Sequence, residues 1–115
     1  MGIASHYSEM NAQKGLLDYQ SILLGLYQVA FLKERGEISE ATDKLNFIKQ
    51  GISNLNDVHV MDSVKVHCGE FLDMSFIEKL VQSIDGVLPV KSDDVEKEII
   101  PILDKIQGIY PATRV

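Results

Sequence analysis

An all-α fold, a bundle of about five helices around a long and largely buried first helix, is predicted by three observations. The stretch 16–32, LLDYQSILLGLYQVAFL, is apolar on nearly every side of a helix. Downstream, apolar residues recur at three- and four-residue spacing in segments separated by Gly, Asn, Asp and Pro. Where strand-like alternation does occur, in Val58-His59-Val60 and Val64-Lys65-Val66, a helical template gathers more of the neighbouring residues.

The first helix is expected to begin between Ser5 and Gln13 and to run to Arg35, with Gly36 as its stop behind Lys33 and Arg35 and with Gly15 marking a bend. Winding the chain at about 100° per residue puts Leu16, Tyr19, Leu23, Leu24, Leu26, Tyr27, Ala30 and Phe31 on one broad face. Leu17, Ile22, Val29 and Leu32 fall outside it. Only Asp18, Ser21, Gly25 and Gln28 form a polar strip, so the helix requires cover from several neighbours or from a second copy. A membrane span would need about 20 predominantly apolar residues. This run is shorter and is interrupted by Asp18, Gln20, Ser21 and Gln28, which argues for a buried helix and against direct membrane insertion.

A second helix follows from about Ile38 to Ser53, with Ile38, Ala41, Leu45, Ile48, Ile52 and Leu55 on its apolar face, and the pair forms an antiparallel hairpin. Phe47 lies well off that face. It is either covered by the third helix or part of a contact patch. Asn54, Asn56 and Asp57 supply a turn and caps. Between Asp57 and Asp73, Val60, Met61, Val64, Cys68, Phe71 and Leu72 cluster within about 120° of arc, which predicts a third helix. Ser75-Phe76-Ile77-Glu78 has the form of a capping box, so a fourth helix is expected to start there and to close at Gly86. Ser92-Asp93-Asp94 opens a fifth, burying Val95, Ile99, Ile102, Leu103, Ile106, Ile109 and Tyr110. Pro101 falls on its solvent side and Pro111 ends it. The first helix is expected to pack against the second, third and fifth, with the fourth as a lid. No linker, repeat or composition shift divides residues 1–115, so one domain is expected.

Composition narrows the function classes. A formal net charge of −6 and a sequence pI near 4.9 disfavour nucleic acid and acidic lipid, both of which are met by Lys and Arg. The single cysteine, Cys68, excludes an internal disulfide and is expected to be reduced and buried. The segment MGIASHYSEMNAQK lacks the regions of a secretory signal, so a cytoplasmic location is the default, and the alternative is the soluble part of an anchored protein. His6 stands where a myristoylation signal needs Ser or Thr.

His59, Asp62, His67, Glu70 and Asp73 share the polar side of the third helix, and imidazole and carboxylate suit zinc or iron. The best such set is His59, His67 and Glu70. Its spacing matches neither the Glu-x-x-His of di-iron bundles nor His-Glu-x-x-His, and a solvated helix face accounts for the same residues. His67 and Cys68 diverge by about 100° on a helix, which separates any nucleophile from its base. The glycines are scattered singly, without a phosphate cradle. Tyr19 and Tyr27 are expected in the core with tethered hydroxyls. No cofactor is implied, and the chain is expected not to be an enzyme.

The first hairpin resembles half of a tetratricopeptide repeat, since Gly36, Ala41 and Leu45 stand at that family's spacing of turn glycine, small packing residue and large apolar residue. Gln28 and Val29 replace its Leu-Gly, Ile48 its second alanine and Ser53 its closing proline, so the resemblance implies a packed helical hairpin and no repeat array. More loosely, the plan resembles small bacterial helical domains of unknown function whose LxxxGxxxxA hairpin follows an anchor segment and which end near a Tyr-Pro, here Tyr110-Pro111.

The expected function is therefore non-catalytic protein interaction, with a homodimer formed through the first helix. Ile22, Leu26 and Val29, with Phe47, are the candidate interface residues. The alternative is a small acidic inhibitor or immunity-type protein that sets Asp93, Asp94 and Glu96 against a basic partner. A metal-binding enzyme or sensor at His59, His67 and Glu70 stands third.

Overall fold

Five helices account for the fold: α1 (Ile3–Glu34), α2 (Ile38–Leu55), α3 (Val58–Cys68), α4 (Met74–Asp85) and α5 (Ser92–Ile109). The structure, a computed structural model, describes residues 3–68, 72–87 and 89–109, and within them the side chains other than those of residues 3–9, 58, 67, 68 and 109. No strand occurs among the described residues. The molecule is elongated, 52 × 24 × 24 Å. α1 is the element against which all the others pack.

α1 ends where Gly36, behind Lys33 and Arg35, places its stop. Gly36 adopts φ 81°, its N–H bonds the Lys33 carbonyl at 3.0 Å and the Glu37 N–H bonds the Leu32 carbonyl at 2.9 Å. This pair of bonds is a Schellman closure, which satisfies free carbonyls of the last turn and needs a left-handed residue that glycine supplies at least cost. The chain then reverses into α2, which runs antiparallel so that Ile48 meets Gly25 and Gly51 approaches Ile22. Asp57 starts α3, accepting the His59 N–H at 2.7 Å on its carboxylate.

α4 lies along α1 in the same direction. The Tyr19 hydroxyl donates to the Asp73 carbonyl at 2.8 Å near its start, and Lys33 Nζ donates to the Ile84 carbonyl near its end. α5 returns antiparallel to α1, tied by the Ser92 hydroxyl, which donates to the Glu34 carboxylate at 2.7 Å. The core therefore sits around α1: Leu16, Leu23 and Leu26 of α1 join Leu55, Val64, Ile77, Ile84, Val95 and Ile99, all essentially inaccessible to water.

Several local expectations need correction. α1 passes unbroken through Gly15, whose role is packing: a Cβ there would lie 2.7 Å from Val60 Cγ1 and 3.0 Å from Val64 Cγ2. Ile38 does not join the buried face of α2 and is half exposed. α4 is capped by Asp73, whose carboxylate accepts the Phe76 N–H at 3.0 Å, while Ser75 is exposed inside the first turn. Both residues are good N-caps, and the choice falls to the one whose carbonyl also receives Tyr19. α3 is described as far as Cys68, and Leu72 and Asp73, expected within it, are not helical. Pro101 is exposed on the outer side of α5, where its missing N–H is tolerated. The expected burial of Cys68, Phe71, Ile109 and Tyr110 lies outside the described residues.

Candidate interaction face

Three sides of α1 are used by its neighbours, and the fourth defines the candidate site. Met10, Leu17, Leu24 and Phe31 are 50, 44, 44 and 40% exposed. They stand seven residues apart. On a helix this spacing makes a nearly straight stripe that drifts only about 20° per heptad and, over 21 residues, runs about 31 Å.

The α2 side of the stripe is a shallow groove of about 270 Å³, lined on α1 by Lys14, Asp18, Ser21 and Ile22 and on α2 by Phe47, Ile48, Gly51 and Asn54. Phe47 rises from its rim 75% exposed. Of the two alternatives open for this residue, the structure shows the exposed one. On the opposite side Tyr27, partly buried, lies beside Glu96 of α5. Its phenol is pushed upward, first by loss of hydration and then by the charges of Glu96, Asp93 and Glu34. This contact fixes which side of α5 borders the stripe. Ile100, 44% exposed and one turn beyond Glu96, shares that side.

Heights along α1 can be read from the same contacts. Ile48 meets Gly25, which puts Phe47 about level with Leu24 and Leu26, and the approach of Glu96 to Tyr27 puts Ile100 about level with Leu23 and Leu24. Leu24 is thus flanked by an aromatic on one edge and an isoleucine on the other. At the C-terminal end of the stripe the Arg35 guanidinium lies 5.6 Å from the Phe31 ring centre and 3.9 Å from the Glu37 carboxylate.

Ile22, Leu26 and Val29, expected at the interface, are buried by the chain's own helices. Leu24 and Phe31, expected on the covered face, are the exposed ones. A helix apolar all round carries no periodic signal for which side stays uncovered; the glycines at positions 25 and 51, which draw α2 onto the Ile22 side, settle it.

His59 is exposed on α3, while the His67 side chain and Glu70 lie outside the described residues. Among the described residues no three His, Cys, Asp or Glu side chains come together as metal ligands. Asp93, Asp94 and Glu96 are exposed at the start of α5. Tyr19 is in the core with its hydroxyl tethered, and its pKa is pushed up to about 12 by burial and then by the charge of Asp73. No described helix is long and apolar enough to cross a membrane. No protein-family model, curated protein or solved structure matches the chain.

Proposed function

We propose that this chain is a non-catalytic interaction domain that self-associates through the exposed side of α1. The observation that carries the reading is the unbroken heptad of Met10, Leu17, Leu24 and Phe31 on a helix already packed on its other sides. Seven-residue apolar spacing is the period at which one helix follows another in a left-handed pair. A contact along the stripe, about 31 Å long, that used the full 24 Å breadth of the molecule would reach at most roughly 700 Å² per copy, against the ~800 Å² per partner of a standard interface.

Sedimentation equilibrium tests it. The wild-type chain is expected to be dimeric at tens of micromolar, roughly the range in which a modest interface is populated. Leu24→Glu, which places a charge at the centre of the stripe without entering the core, is expected to be monomeric with unchanged helical circular dichroism. A monomeric wild type sinks the proposal.

The acidic edge formed by Asp93, Glu96 and Glu34 around Tyr27 favours a second reading, in which a basic partner docks on this face. Capture of such a partner by the monomeric chain, lost on adding salt, would replace the first reading with this one.

A further inference from the structure

The two edges of the face differ in charge, and that difference bears on how two copies can meet. Along the α5 edge, the side that carries Glu96 and Ile100 also carries Asp93, with Asp104 and Lys97 together at its outer margin, so that three acids stand against one cation. Along the α2 edge, Lys14 and Asp18 line the groove, and Lys44 and Glu40 share the side of α2 that holds Phe47 and Gly51, for a balance of zero.

Two copies set face to face across a two-fold axis have two choices. With α1 antiparallel, each α5 edge meets the partner's α5 edge, and acid faces acid. With α1 parallel, each α5 edge meets the partner's α2 edge. Heights along α1 agree with the second arrangement: Lys44, one turn before Ile48, is about level with Val29, while Glu96 is level with Tyr27. We infer that the partner is a second copy of this chain lying parallel to the first, Leu24 against Leu24, with each Lys44 opposite the Glu96 of the other copy. This rests on the self-association proposed above and goes beyond it in fixing direction and register. Phe47 and Ile100 then meet across the axis on both sides of Leu24, closing the apolar centre. Like-charge juxtaposition disfavours the reverse arrangement.

Cross-linking by cysteine pairs separates the possibilities. In a Cys68→Ser background, Leu17→Cys and Phe31→Cys each alone are expected to form disulfide dimers under mild oxidation, because in a parallel pair each residue meets its own counterpart. Cross-linking only when the two variants are mixed would identify an antiparallel pair and overturn the inference while leaving self-association standing. A dimer by sedimentation that cross-links in neither case would overturn the parallel register, and a monomer would overturn both readings. As an independent arm, Lys44→Glu is expected to weaken the dimer about tenfold through two symmetry-related contacts, and the double change Lys44→Glu with Glu96→Lys to restore it. Failure of the second change to rescue the first also counts against the parallel register.

Discussion

Tyr19 shows how one side chain can connect three elements. It is 2% exposed in α1, its ring fills the core, and its hydroxyl reaches the Asp73 carbonyl where α4 begins. Because the folded phenol ionises near 12 and an unfolded one near 10.0, the folded state holds the proton more tightly. The stabilisation this gives is complete below the unfolded value and is lost as pH rises through the interval to the folded value. Urea midpoints compared at about pH 9 and about pH 11 are therefore expected to fall more steeply for the wild type than for Tyr19→Phe. At neutral pH the same substitution removes one hydrogen bond and is expected to cost about 1 kcal/mol. Asp73→Ala, measured by the same melts, is expected to cost about 1 kcal/mol through the lost cap on Phe76.

Among the elements, the most consequential contacts are made by residues without side chains. Gly15 lets α3 seat Val60 and Val64 against α1, and Gly25 does the same for Ile48 of α2. Gly15→Ala gains helix propensity but meets two valine methyls, and a net loss of about 1–3 kcal/mol is expected by thermal or chemical denaturation. Gly108, in the last turn of α5 with open space around its Cα, provides the control: Gly108→Ala is expected to be neutral or to stabilise by up to about 1 kcal/mol. Legibility in the sequence divides along the same line. The amphipathic elements could be read because their period states which side is buried, as in Val95, Ile99 and Ile106 with Pro101 opposite. The Gly36 stop could be read because only one local geometry suits it. The uncovered side of α1, the packing role of Gly15 and the selection of Asp73 over Ser75 depend on residues far away in the chain, and local pattern holds no record of them.

For the whole molecule, helices α2 to α5 surround α1 without enclosing it. The expectation of a surplus on α1 came from its apolar excess, while the position of that surplus required the neighbours to be placed. Wild-type and Leu24→Glu chains are expected to differ in mass in solution and to agree in fold. Phe47 and Ile100 belong to this scale as well, since neither lies on the apolar period of its own helix and each gains meaning only beside the stripe.

The central position of α1 also has a cost in time. α5, the last of the helices to pack against α1, ends at Ile109, 75 residues after Glu34. At about 5–20 residues per second, a ribosome takes roughly 4–15 s to make that interval, during which an apolar rod waits for its partners. A chain truncated before Ser92 keeps the α5 side of that rod uncovered permanently. It is expected to form inclusion bodies or to bind holdase chaperones where the longer chain does not, with the partition measured between soluble and pelleted fractions. The same architecture that leaves one face of α1 uncovered in the fold thus makes the nascent chain a client for protection during synthesis.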